Sequence, residues 1–390
     1  MVKIPEGFLF NALSAGIKKK EDLDFGLIYA PEGAFCAGVF TQNLVRAAPV
    51  ILGLERVKKG QAKGILVNSG CANACTGAQG IRDAERILQA VAQETQCLPE
   101  EILPASTGVI GERLPVEEML KHVSSLVQGL SPRKIDLVAR AMMTTDTFPK
   151  LVSRTVEVGG REVTIAGLAK GAGMIAPHMA TMLAFILTDA SLHKQPWASM
   201  LQDVVSQTFN RITVDGDTST NDTVYALASA KVNLPPDKWP LFEEGFFEVC
   251  QELAYLIVKD GEGATKTVRI LVRGAETEEE ALLLARVVAD SLLVKTAFFG
   301  EDPNWGRILA ALGRSGLSID PQRVDLWFNK VQVVKNGLSL GKETEKEAHL
   351  VMKNREFTLT IDLKKGKAEA AILTCDLSYE YVKINAEYRT

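Results

Sequence analysis

Histidine is scarce in this sequence. There are four in 390 residues, and none stands at metal-ligand spacing from another. The six cysteines, at 36, 71, 75, 97, 250 and 375, are scattered. Cys71 and Cys75 are four apart, with no second Cys or His pair nearby, so the usual zinc patterns are absent. Charge of one sign is also missing. The net charge is −4 with the signs mixed, and no basic stripe of the kind a nucleic-acid binder carries is present. No apolar run approaches the length of a membrane span; even Ala281–Val294 is interrupted by Arg286 and Asp290. The opening Met-Val-Lys-Ile-Pro-Glu-Gly places Pro5 and Glu6 ahead of any apolar stretch, unlike a signal peptide. A cytosolic location with reduced thiols is the expectation. No internal repeat is visible. What remains is a chain that is 46% hydrophobic and long enough for two or more domains.

The most informative stretch is 167–190, Gly-Leu-Ala-Lys-Gly-Ala-Gly-Met-Ile-Ala-Pro-His-Met-Ala-Thr-Met-Leu-Ala-Phe-Ile-Leu-Thr-Asp-Ala. Gly171, Gly173 and Pro177 disfavour a helix and permit tight turns. Met182–Leu187 is an unbroken apolar run, as in a strand buried on both faces. Thr181 stands where loop hands over to strand. A threonine hydroxyl becomes a good nucleophile when a base sits beside it, and one such base is the threonine's own α-amine. Here that requires cutting the Ala180–Thr181 bond. The alternative is a threonine that simply begins a strand. His178, three residues earlier, is a weaker candidate for the base. Gly171-Ala-Gly-Met-Ile-Ala176 imitates a dinucleotide fingerprint, but Pro177 and the short distance to the next strand leave no room for the required helix.

In chain order, Leu27–Ala30 and Phe35–Thr41 read as strands about a Pro31-Glu-Gly33 turn. Gly64–Val67 is a short strand running into the small, polar run 68–77, and Ile81–Thr95 is a helix. Pro104-Ala-Ser-Thr-Gly-Val-Ile-Gly111 reads as a glycine-containing loop after a strand, a place for backbone N–H groups to meet developing negative charge. Helices are expected at Pro115–Gln128 and Pro132–Met143, the second with Ser131 as N-cap. Thr155–Val158 and Glu162–Ile165 form a hairpin about Gly159-Gly160. It leads to Lys170, a candidate anion contact. Asp215-Gly-Asp-Thr-Ser-Thr-Asn-Asp222 imitates a calcium loop, but the glycine is misplaced and Ala226 stands where the bidentate glutamate belongs; it reads instead as a hydrogen-bonded loop beside the site. The helix Leu241–Lys259 ends at Asp260-Gly-Glu-Gly-Ala-Thr-Lys266, with Glu262 either a substrate-facing carboxylate or a surface acid after a C-cap. Residues 266–390 read as a smaller α+β domain after a main α/β domain of 1–265. In it, Glu278–Ser291 is a helix capped by Thr277, Ala297–Arg307 is a turn with a buried aromatic, and the tail is ordered rather than frayed.

Taken together these segments resemble the ornithine acetyltransferase (ArgJ) family. The resemblance runs the length of the chain. It rests on Lys170-Gly-Ala-Gly-Met-Ile-Ala-Pro, Ala180-Thr-Met-Leu-Ala-Phe, Pro104-Ala-Ser-Thr-Gly-Val-Ile-Gly, Asp260-Gly-Glu-Gly-Ala-Thr-Lys, Asp302-Pro-Asn-Trp-Gly-Arg and Tyr381-Val-Lys-Ile-Asn-Ala-Glu-Tyr-Arg-Thr390. Cys71, where many members carry asparagine, departs from the pattern but lies outside the nucleophile and oxyanion segments. The resemblance implies an α/β sandwich of the N-terminal-nucleophile type, similar to DmpA. It also implies self-cleavage between Ala180 and Thr181, giving α (1–180) and β (181–390) chains, commonly two of each. Thr181 would carry acetyl from N2-acetyl-L-ornithine to L-glutamate. Thr107 and Gly108 match the oxyanion-hole positions; Thr144, Lys170, Thr181, Glu262, Asn385 and Thr390 match the substrate contacts. No metal or cofactor is implied, and some members also use acetyl-CoA as donor. An amidohydrolase or aminopeptidase with the same N-terminal threonine is the alternative within this chemistry. A non-enzymatic binding protein with an uncut Thr181 is the other.

Overall fold

The computed structural model describes residues 2–18, 22–176, 182–191 and 197–387. The chain divides into two compact units, Met1–Asn210 with Asp217–Ile257, and Arg211–Gly216 with Val258–Tyr388. The strands in chain order are β1 (Leu9–Leu13), β2 (Phe25–Phe40), β3 (Gln61–Cys71), β4 (Ile102–Val109), β5 (Lys150–Val158), β6 (Arg161–Lys170), β7 (Leu183–Ser191), β8 (Ile212–Thr213), β9 (Thr223–Asn233), β10 (Thr267–Ala275), β11 (Asp325–Phe328), β12 (Val331–Lys335), β13 (Leu338–Ser339), β14 (Glu356–Asp362) and β15 (Ala368–Cys375).

The first unit is built on an eight-stranded sheet, β4-β3-β2-β9-β7-β6-β5, with β1 paired to β2. It is a mixed sheet: β3 runs parallel to β4 and β7 parallel to β9, while the other pairs are antiparallel. The period of two decides which core each residue joins. Phe25, Leu27 and Leu66 face Ile87, Leu88 and Val91 of helix Gly77–Glu94 and Met119, Val123 and Leu126 of helix Val116–Gln128. Ile28, Ile65 and Val67 face the opposite way. They share a second core with Leu103, Phe185, Leu187, Tyr225, Leu227 and Val138 of helix Ile135–Ala141. β7 lies between β6 and β9 and is buried from Leu183 to Ala190, so its continuous apolar run is that of a strand covered on both faces.

The second unit has a seven-stranded sheet, β13-β12-β11-β14-β10-β15-β8. Its core joins Val268, Ile270 and Val272 of β10 to Leu284, Ala285 and Val288 of helix Glu278–Ala289 and to Phe298, Phe328 and Phe357. Thr277 caps that helix by accepting a bond from the Glu280 amide, as the sequence predicts. The protein is therefore a mixed α/β chain with two sheets.

Four expectations are corrected. Pro31-Glu-Gly33 does not end a strand: β2 continues through it, and its register with β3 shifts between Tyr29 and Ala34, so the extra residues form a bulge. The helix expected from Pro132 begins at Ile135, because Ser131 is held extended by paired backbone bonds with Phe10. Pro104–Gly111 is mostly strand, β4 running to Val109 against β3. The supposed turn at Ala297–Arg307 is the junction of helices Leu292–Phe299 and Trp305–Gly313, with Asn304 capping the second by accepting from the Arg307 amide. Its buried aromatic is Phe298, while Trp305 is partly exposed and donates through its indole to Glu345.

Candidate active site

In the first unit the site forms where β3, β4 and β6 end together with the loop before β9. β4 delivers Thr107 and Gly108. Thr107 is buried, and Gly108 has φ +127. A Cβ on Gly108 would stand 2.3 Å from the Gly70 carbonyl carbon and 2.6 Å from the Cys71 nitrogen, so the two strand ends approach too closely for any side chain. Four buried side chains fix these ends through bonds to the chain around them. Ser106 Oγ donates to Asn68 Oδ1 at 2.6 Å, and Asn68 Nδ2 donates to the Cys71 carbonyl at 2.9 Å. Ser69 Oγ donates to the Ala141 carbonyl at 2.5 Å. Asn221 Nδ2 donates to the carbonyls of Ala72 and Ser106, at 2.7 and 2.8 Å, tying the β9 loop to the ends of β3 and β4.

Lys170, the last residue of β6, is buried, and its Nζ lies 3.3 Å from Thr107 Oγ1, which accepts its bond. That leaves the threonine's own proton available for another acceptor. Asp146 organises the cationic side. Oδ1 accepts from Lys150 Nζ and from the Gly171 amide, both at 2.7 Å, and Oδ2 accepts from the Thr144 amide at 3.0 Å. Both side chains of the Asp146–Lys150 pair are fully buried. Burial alone would raise the Asp146 carboxyl, but the Lys170 and Lys150 charges outweigh it and hold the group down to about 2. Lys18, whose own pKa is lowered chiefly by burial, feels the charges of Asp146 and Lys170 as well.

Asp222 has the opposite character. It is fully buried, and Oδ1 accepts the Met182 amide at 3.0 Å, while the Thr223 amide donates to the Met182 carbonyl. Burial pushes its carboxyl well above the ordinary range, against the pull of that amide, the Thr41 and Ser219 hydroxyls and Lys170. Within Asp215–Asp222, the segment that the sequence suggests is a hydrogen-bonded loop, residues 219–222 are all buried.

The second unit brings together two more predicted residues. Asn385, on helix Tyr379–Glu387, donates through Nδ2 to Glu262 Oε2 at 2.7 Å. Glu262 is buried, so it is not the surface acid of the alternative reading. Gly263 has φ +68, and a Cβ there would meet the Tyr381 nitrogen at 2.6 Å, so the glycine lets the Glu262 turn lie against the start of that helix. Ser378 Oγ donates to the Gly263 carbonyl, and Asp376 accepts from the amides of Thr265 and Lys266.

Thr107, Gly108, Lys170 and Thr144 are thus gathered in one unit, and Glu262 and Asn385 in the other. Ala180, Thr181, His178 and Thr390 lie outside the described residues. Sequence reasoning missed Asp146, Lys150, Asn68, Asn221 and Asp222 as individual contributors. Asp222 ends the 215–222 segment singled out in the sequence and Asp146 lies in none, and no local periodicity marks carboxylates whose partners are 40 and 25 residues away. Among the described residues no group of His, Cys, Asp and Glu is placed to hold a metal ion.

A hydroxyl polarised by a buried lysine, beside a glycine locked against a neighbouring strand end, is equipment for stabilising an oxyanion in acyl chemistry. The comparisons with known proteins narrow this. The ArgJ family model matches residues 9–390. The arginine biosynthesis bifunctional protein ArgJ of Desulfotalea psychrophila is 48% identical over 390 residues, covering 99% of each chain. That of Geobacter sulfurreducens is 48% identical over 395 residues, again covering 99% of each. A solved ArgJ structure from Bacillus halodurans, 38% identical, covers 52% of this chain and 98% of its own, with a TM-score of 0.49. The chain belongs to the ArgJ family.

Proposed function

We propose that this protein transfers an acetyl group from N2-acetyl-L-ornithine to L-glutamate in arginine biosynthesis. The observation that carries this reading is the match to the ArgJ family along nearly the whole chain, at 48% identity to relatives named as arginine biosynthesis bifunctional proteins. The contact between Lys170 and Thr107 gives it a physical basis.

In this reading the chain cuts itself between Ala180 and Thr181. The freed α-amine takes the Thr181 hydroxyl proton as the oxygen attacks the acetyl carbonyl. The Thr107 hydroxyl and Gly108 amide meet the oxyanion, ornithine leaves with a proton on its amine, and an acetyl-threonine ester remains. Glutamate's amine then attacks that ester through the same steps. Thr144, Lys170, Glu262, Asn385 and Thr390, which match the family's substrate contacts, are the residues we assign to the amino-acid groups of the substrates. The chemistry calls for no cofactor or metal; acetyl-CoA enters only as a second acetyl donor. Two α and two β chains form the proposed assembly, in the cytosol.

The test is to supply N2-acetylornithine with and without glutamate. N-acetylglutamate should form with parallel-line, ping-pong kinetics, and Thr181→Ala should abolish it. Release of free acetate at the same rate without glutamate would point to the hydrolase instead.

A further inference from the structure

Lys18 carries a role that the functional reading leaves open. Asp24 is buried and gathers the loop before it. Its Oδ1 accepts from the Ala15 amide at 2.6 Å, and its Oδ2 from the amides of Ile17 and Lys18 at 2.7 and 3.0 Å. The Ser69 amide donates to the Asp24 carbonyl, which ties this loop to the end of β3. There the Lys18 stem lies on Gly70: a Cβ on that glycine would stand 3.1 Å from Lys18 Cγ. Gly70 is the strand partner of Gly108, so Lys18 rests beside the proposed oxyanion donor. The residue is half-buried. Among the described residues its Nζ donates to the Leu23 carbonyl at 2.9 Å and has no carboxylate as an ion-pair partner. The buried acids nearby are committed elsewhere, Asp24 to the three amides and Asp146 to Lys150 and the amides of Gly171 and Thr144.

Resting on the proposed function, we propose that Lys18 binds the side-chain carboxylate of the acceptor, L-glutamate, and so sets specificity in the second half of the reaction. Donor and acceptor share an α-carboxylate and differ at the far end, where ornithine carries an ammonium and glutamate a carboxylate. Lys170 is already held on Thr107 by its bond to the hydroxyl. Lys18 is a second cation on a flexible four-carbon stem, suited to a group that only one substrate brings. Its electrostatics fit this task. Burial lowers its pKa, Lys170 adds to the lowering, and the charges of Asp22, Asp24 and Asp146 oppose it. A bound carboxylate would restore the charged form, and a charge-assisted hydrogen bond to it is stronger than the one to a backbone carbonyl.

The test separates the half-reactions in the full-length chain and its Lys18→Met and Lys18→Arg variants, with thermal midpoints as a check on folding. Acetylation by N2-acetylornithine is followed by denaturing intact mass. Discharge of the acetyl group is then followed with L-glutamate and with L-glutamine, which lacks the side-chain carboxylate. Lys18→Met should raise the KM for glutamate by about tenfold to a hundredfold. Its losses in acetylation and in transfer to glutamine should be smaller by about tenfold or more, so the preference for glutamate over glutamine falls. Lys18→Arg, which keeps the charge, should recover most of the loss. A wild-type preference for glutamate in Lys18→Met would overturn the proposal. So would equal losses with N2-acetylornithine and glutamate, which would place Lys18 on the shared carboxylate or in a structural role. If Lys18→Met does not fold, Lys18→Gln is read against the same two outcomes. A wild-type chain that N2-acetylornithine does not acetylate would count against the functional reading itself.

Discussion

Gly108 and Asp146 bear the most specific constraints on single residues. Gly108→Ala places a methyl group inside the Gly70–Cys71 backbone, at a φ that side chains rarely adopt. The strand end must shift, and the proposed oxyanion donors shift with it. Single-turnover acetylation of Thr181 should fall by about 10²-fold or more, and full-rate acetylation would contradict the oxyanion assignment. Asp146 makes a pH prediction. Its folded carboxyl lies near 2 against an ordinary 3.8, a depression won by Lys170 and Lys150 over burial. The stabilisation is therefore complete above the ordinary value and is lost as pH falls through about 4 toward about 2; its size is on the order of 2 kcal/mol. Asp146→Asn should lower the thermal midpoint at neutral pH and flatten its fall over that acid window. An unchanged acid slope would show that the carboxylate is not the group titrating there.

Among the elements, the ends of β3, β4 and β9 form one hydrogen-bonded block, and Asn221 is its clamp. Asn221→Ala would leave the buried Ala72 and Ser106 carbonyls without that donor, a cost of about 2–4 kcal/mol. Calorimetry should show a drop of roughly 5–10 °C in the thermal midpoint, with kcat falling more than KM rises. A change within error would mean that the loop is held by other contacts. The same scale shows what the sequence could and could not say. β7 was legible as an apolar run, the β5–β6 hairpin through Gly159-Gly160, and the capped helix after Thr277, because each signal is local. The continuous β2 and the late start of the helix at Ile135 were not, because distant pairings override the local turn and cap signals. In the site, the 104–111 segment and Lys170 stand out in the local sequence, and the family motifs single out Thr107. The Asp146 and Asn221 networks do not stand out, since their partners come together only when the sheet forms.

On the scale of the whole molecule, the proposed reaction draws substrate contacts from the C-terminal tail. Removing Asn385–Thr390 takes away the partner of Glu262 but little of the second unit's core. The truncated protein should stay folded and lose turnover; normal turnover by a soluble truncated chain would remove the tail from the account. The central claim is that Thr181 is freed by self-cleavage and carries the acetyl group. Denaturing intact-mass spectrometry before and after adding N2-acetylornithine tests it most directly. The account predicts two fragments, divided between Ala180 and Thr181, with only the C-terminal one gaining an acetyl group. A single unmodified chain of 42.4 kDa would contradict it.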